Sequence, residues 1–107
     1  MYQIEDLLEI VEKLRAPEGC PWDLAQTHES LVPCMVDETA EVLAAIKVQK
    51  STGYSTNLCE ELGDQLFLIL LQSQIAAEEG KFDFSEVVQA VSEKMIRRHP
   101  HVFAAEN

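Results

Sequence analysis

Residues 36–46 read VDETAEVLAAI, and residues 59–69 read CEELGDQLFLI. Both stretches set acids into an apolar pattern, and that pattern is helical, because residues three and four apart share one face of a helix. The line through Glu38 and Glu41 reads Cys34, Glu38, Glu41, Ala45, Val48; the line through Glu61 and Asp64 reads Glu61, Asp64, Leu68, Leu71, Ile75. Each acidic pair therefore continues an apolar row that reads as inward-facing. A carboxylate at the edge of a core is costly unless a cation compensates it. Arginine or lysine can do so, and so can a metal ion. One such pair is a common helix-surface pattern, but two pairs, in register with apolar rows on consecutive helices, point to a hard-cation site. All-oxygen ligands suit Mg²⁺, with Mn²⁺ as the alternative, and leave coordination positions for water and phosphate. Asp37 and Glu60 lie four residues before Glu41 and Asp64, so spacing leaves both open as further ligands.

Outward from these stretches the pattern stays helical, and no window alternates as a strand does. A first helix is predicted over Ile4–Leu14, from the spacing of Ile4, Leu7, Leu8, Val11 and Leu14. Ala16–Trp22, with two prolines and a glycine, reads as a fixed loop. A second helix is predicted from Thr27 or Ser30 to about Lys50; Pro33 fits only within its first turn, which favours a start near Ser30 or a short preceding turn. A third runs from about Asn57 to Glu79 and ends at Gly80. Asp83 and Glu86 have capping-box spacing and open a fourth, to about Arg98, which Pro100 stops. The expected fold is an all-α bundle of four to five helices in a single domain over residues 1–107. The third helix is apolar nearly all round between Leu66 and Leu71, which predicts cover on every side. Three neighbours scarcely provide it, so a homodimer or higher homo-oligomer built on this helix is expected.

Nineteen acids oppose eight lysines and arginines, a formal net charge of −11. Such a balance argues against broad electrostatic binding to a nucleic-acid polymer or an anionic membrane and suits a cation-binding protein. The longest apolar run, Leu66–Leu71, is too short to span a bilayer, and the charged start MYQIEDLLEI does not read as a signal peptide. Cys20, Cys34 and Cys59 form neither a zinc pattern nor a disulfide framework. They read as reduced thiols, with a cytoplasmic location.

Against this acidity the run KMIRR stands out. Lys94, Arg97 and Arg98 share roughly one side of the last helical turns, where they could hold phosphate oxygens, complement the helix dipole or pair with the acids. In the loop GCPWDLAQTH the single tryptophan, Trp22, could stack on a base or plug the loop.

Taken together, GCPWDLAQTHESL, DETAEVLAAI, EELGDQLF and KMIRRHPHVF occur in the order of a known family and cover about residues 15–103. The chain resembles the MazG nucleoside triphosphate pyrophosphohydrolases. The resemblance implies an all-α fold dimerising through its helices. It also implies Mg²⁺-dependent hydrolysis of a nucleoside triphosphate to the monophosphate and pyrophosphate. Carried over, Glu38, Glu41, Glu61 and Asp64 match the metal ligands, and Lys94, Arg97 and Arg98 match the phosphate-holding positions. Glu38, Asp37 and Glu60 are the candidates to take the proton of the attacking water, and Trp22 is a candidate for the substrate side. Two departures are visible. Asp37 stands where the family usually has glutamate, and Cys34 and Met35 stand where larger side chains are expected, which bears on the base pocket. Competing readings are a non-catalytic acidic helical module that binds nucleotides or proteins, and a related phosphohydrolase with a substrate other than a nucleoside triphosphate.

Overall fold

The structure, a computed structural model, describes residues 1–103. Six helices follow one another: α1 (Ile4–Leu14), α2 (Pro21–Leu24), α3 (Val32–Thr52), α4 (Thr56–Glu78), α5 (Phe84–Arg98) and α6 (Pro100–Phe103). The fold is all-α, with no strand among the described residues. Four long helices stand where the apolar periodicity puts them. The two four-residue helices are additions: α2 takes up the end of the predicted loop, and Pro100 both stops α5 and opens α6.

The helix ends show why. Asp83 accepts from the Glu86 amide through Oδ1 (3.1 Å), while Glu86 Oε2 accepts from the Asp83 amide (3.0 Å), so the expected capping box opens α5. Gly80 ends α4 at φ 71°, with the Lys81 amide donating to Ala76 O and the Gly80 amide to Ala77 O, both at 3.0 Å. The start of α3 lies just beyond Ser30, behind a short turn. Thr27 and Ser30 cap each other, Thr27 N to Ser30 Oγ at 2.8 Å and Ser30 N to Thr27 Oγ1 at 3.0 Å. That closed turn delays the helix to Val32 and places Pro33 in its first turn, where its missing amide costs nothing. After α1 the chain doubles back so tightly that a Cβ on Gly19 would sit 2.2 Å from the Lys13 carbonyl oxygen, so only glycine fits.

The core comprises Val11, Leu31, Leu70, Leu71 and Ile75, with Leu7, Leu8, Cys34, Leu66, Phe67, Leu68 and Phe84 packed round it. It lies between α1, the first turn of α3 and the C-terminal half of α4. Arg15 locks its edge. The guanidinium donates through Nη2 and Nε to both oxygens of Glu78 (2.7 and 3.0 Å), and through Nη1 to the carbonyls of Asp23 (2.7 Å) and Gln26 (3.0 Å). The Arg15 hydrogen bond holds the Glu78 carboxyl below its ordinary range, against the opposing effect of burial.

Helices α3 and α4 run antiparallel, with Gln65 Nε2 donating to Thr39 Oγ1 (3.2 Å) and Gln72 Nε2 to Met35 Sδ (3.4 Å). This pair carries both acidic stretches. Its outer side is left open: Val36, Leu43 and Ile46 of α3 and Leu62 and Ile69 of α4 are exposed. Cover on every side of α4 is thus not supplied by the described residues of one chain. Helix α5 is open too, since every residue from Val88 to Arg98 is exposed. The radius of gyration, 16.7 Å, exceeds the roughly 13 Å of a compact globule of this length. No helix among the described residues is long and apolar enough to cross a membrane.

Candidate metal centre

The register of α3 against α4 brings the two acidic stretches face to face. Glu38, Glu61 and Asp64 each offer a carboxylate oxygen, and these oxygens all lie within 4.8 Å of one another. Glu38 is 9% exposed, and Glu61 is half-buried. Glu38 Oε2 and Glu61 Oε1 are shielded from solvent and have no hydrogen-bond partner. An ionised carboxylate is acceptor-only, so two of them cannot satisfy each other. A proton or a cation must intervene.

The electrostatics carry the same message. The Glu61 carboxyl is raised above its ordinary range, first by the neighbouring Glu38 carboxyl and then by burial. That of Glu41 is raised chiefly by Glu61, with smaller contributions from burial, Asp64 and Asp37. Like charges held this close favour the protonated form. The described residues contain two ion pairs, Arg15–Glu78 and His28–Glu79, and neither involves these acids. Among the described residues, compensation by arginine or lysine is therefore absent here, and Glu38, Glu61 and Asp64 could hold a metal ion.

The inward-facing reading of the acids needs correction in one respect. Glu38 and Glu61 point inward, but Glu41 and Asp64 are exposed, as is Val48. A three-residue step turns about 60° away from a full turn, enough to carry the second acid of each pair to the rim of the groove. Asp37 and Glu60 are also exposed; Asp37 is close enough to influence Glu41.

Trp22 is 57% exposed on α2, so it is not a buried plug. It is placed by the Arg15 contacts to the carbonyls that follow it, and its own carbonyl accepts from Gln26 Nε2 (3.0 Å). Lys94, Arg97 and Arg98 are exposed on α5 and pair with no acid among the described residues.

Two polar clamps were not singled out in the sequence. Arg15 continues the apolar row Leu8, Val11 of α1, and a charge on a core row is the signal that could have found it. His28 has no such signal. Its ring bonds Gln72 Oε1 through Nδ1 and meets Glu79 Oε1 through Nε2 (3.3 Å), and the Gln72 amide returns to the His28 carbonyl (3.3 Å). These contacts tie the segment before α3 to α4.

A family model described as the MazG nucleotide pyrophosphohydrolase domain matches residues 26–103. A protein of Escherichia coli strain K12 named nucleoside triphosphate pyrophosphohydrolase is 49% identical over 105 residues, which are 97% of this chain and 38% of that protein. A Thermotoga maritima protein named nucleoside triphosphate pyrophosphohydrolase/pyrophosphatase MazG is 48% identical over 99 residues, 92% of this chain and 37% of that protein. The uncharacterized protein YabN of Bacillus subtilis strain 168 is 48% identical over 94 residues, 88% of this chain and 18% of its own length. The chain thus spans less than two fifths of each of these relatives.

Proposed function

The chain belongs to the MazG nucleotide pyrophosphohydrolase family, and from that premise we propose that residues 1–107 form one catalytic unit that hydrolyses nucleoside triphosphates to the monophosphate and pyrophosphate with Mg²⁺. The observation that carries this reading is the pair of buried, unpartnered oxygens Glu38 Oε2 and Glu61 Oε1. Together with Asp64 and, at the rim, Glu41, they form an all-oxygen donor set that fits a hard divalent cation. When bound, the metal supplies charge for the triphosphate oxygens and acidifies a bound water.

The chain's own groups do the rest. Water adds to the α-phosphorus, the bond to the bridging oxygen breaks, and pyrophosphate leaves. Glu38, Asp37 or Glu60 accepts the proton of the water. Asp37 and Glu60 are exposed and free to do so, while Glu38 has one oxygen without a partner. Lys94, Arg97 and Arg98 hold the phosphates and offset the charge that builds on the leaving group. The exposed Trp22 indole is available to stack on a base. A homodimer is part of the proposal, supported by the open apolar side of the α3–α4 pair. A cytoplasmic location suits the three free thiols.

The test is product identification. The purified chain is given a panel of ribo- and deoxynucleoside triphosphates with and without Mg²⁺ or Mn²⁺, the nucleotide product is resolved by chromatography, and pyrophosphate is measured separately. Monophosphate and pyrophosphate in equal amounts, only with the cation, are expected. Release of single phosphate, or turnover indifferent to cation, would overturn the proposal. Binding without turnover of any nucleotide would favour a non-catalytic module.

A further inference from the structure

Among the described residues, two hydrogen bonds cross from α3 to α4, and one of them lies against the acid cluster. Gln65 Nε2 donates to Thr39 Oγ1 at 3.2 Å, and the Thr39 hydroxyl donates its own proton to the Met35 carbonyl at 2.9 Å. The other runs from Gln72 Nε2 to Met35 Sδ at 3.4 Å, about one turn away on α3 and two turns away on α4. Thr39 follows Glu38 in the chain. Gln65 follows Asp64 and stands one turn beyond Glu61.

Packing is thin where the acids stand. The buried residues of α4 begin at Leu70, so none is fully buried over the stretch that carries Glu61 and Asp64. On α3, the residues buried past Glu38 are Val42 and Ala45. Across this loosely packed junction Glu38 Oε2 and Glu61 Oε1 are shielded and have no donor, and like charges so placed push the two helices apart. The Gln65–Thr39 bond is the polar contact that opposes them. Thr39 is exposed and Gln65 is half-buried, so the bond adds little to stability. What it does is hold a distance.

That distance decides which ion fits. Two oxygens on opposite sides of Mg²⁺ stand about 4.2 Å apart, and on Ca²⁺ about 4.6–5.2 Å apart. The oxygens of Glu38, Glu61 and Asp64 lie within 4.8 Å of one another. A few tenths of an ångström of helix separation therefore moves the site from one ion toward the other. The smaller ion also demands the stricter octahedral geometry, so it suffers more when the helices part.

We infer that Gln65 and Thr39 are positioning residues for the metal centre: their hydrogen bond fixes the separation of α3 and α4 beside Glu38, Glu61 and Asp64, and so makes the site select Mg²⁺ over the larger Ca²⁺. This rests on the metal site proposed above, and it is read from ion binding alone, without turnover.

The probe is each ion by itself, with no nucleotide. Mg²⁺ and Ca²⁺ are titrated into the wild-type chain, Gln65→Leu, Thr39→Val, the double variant and Thr39→Ser. Affinity is read by calorimetry and by the rise in melting temperature with ion concentration. Gln65→Leu and Thr39→Val should each weaken Mg²⁺ binding about 10-fold and Ca²⁺ binding by less than about twofold. The double variant should match the single ones, since all three lose the same bond. Thr39→Ser keeps the hydroxyl and should keep the wild-type preference. A bond that merely supports the fold would shift the melting temperature and move both ions alike. Equal losses for the two ions, no loss for either, or losses that add in the double variant would overturn the inference while leaving the metal site standing. A wild type that binds neither ion would remove the metal site itself, and this role with it.

Discussion

Glu38 and Glu61 meet across α3 and α4 with carboxylate oxygens within 4.8 Å and with no donor between them. The contact is unfavourable as it stands, and under the proposed function a cation between the two carboxylates relieves it. Its consequences reach both stability and turnover.

Replacing either acid by glutamine should separate those two consequences. Glu38→Gln and Glu61→Gln supply a donor where the pair lacks one, so the metal-free protein should melt higher than wild type. Mg²⁺ affinity and turnover should fall by at least about 100-fold, because even outer-shell partners of metal ligands carry 10–100-fold effects. Calorimetry with Mg²⁺ and a melting curve with and without it check both. A variant that melts lower than wild type and still binds Mg²⁺ would remove the site.

The pH dependence has a definite sign. Folding raises the Glu61 and Glu41 carboxyls above their ordinary value of 4.5, so the folded state binds protons more tightly there than the unfolded chain. Stability from this source is fully present below 4.5 and is lost as pH rises through the raised values. Without metal, the melting advantage of Glu61→Gln over wild type should therefore be full at pH 7 and shrink as pH falls through that window. With Mg²⁺ the order at pH 7 should reverse. A gap constant from pH 7 to 4.5 would contradict the shared-charge account.

Outside the site, losing Arg15 should be costly. Arg15→Met keeps the apolar stem and strands Glu78 and the carbonyls of Asp23 and Gln26. Removing one partner of a fully buried pair costs about 3–5 kcal/mol. Glu78 is 37% exposed, so screening lowers the expectation to about 2–3 kcal/mol. Urea denaturation with an unchanged slope measures it. The same variant should free α2, seen as a change in Trp22 fluorescence before global unfolding.

His28 should titrate above its ordinary 6.5, chiefly because Gln72 holds the ring and secondarily because Glu79 and Glu29 face it, with burial opposing. The stability it adds is present below 6.5 and is lost as pH rises through the raised value. NMR titration of the ring reads this directly. Gln72→Leu should bring the value back down, and an unchanged midpoint would show that the clamp does not act on the imidazole.

The four long helices were legible because their cause is local. Three-four apolar spacing, the Asp83–Glu86 box and Gly80 each act within a few residues, and each appears where expected. The start of α3 shows the limit: Thr27 and Ser30 are good caps, but they cap each other, and the helix opens just beyond them at Val32. The acids were legible as a pair of pairs because each continues an apolar row. Which of them point inward was not, since that depends on how α3 rotates against α4, a choice made by contacts such as Thr39–Gln65 and Met35–Gln72.

By itself, then, the amino-acid sequence determined the helices, the all-α class, the family resemblance and the two acidic stretches on consecutive helices. Those rest on local periodicity and motif order. Only the tertiary structure decided that Glu38 and Glu61 are left without partners, that Arg15 pins α2 and His28 the segment before α3, and that α5 is exposed from Val88 onward. These depend on the relative rotation of helices far apart in the chain, and side-chain spacing along one helix carries no information about that angle.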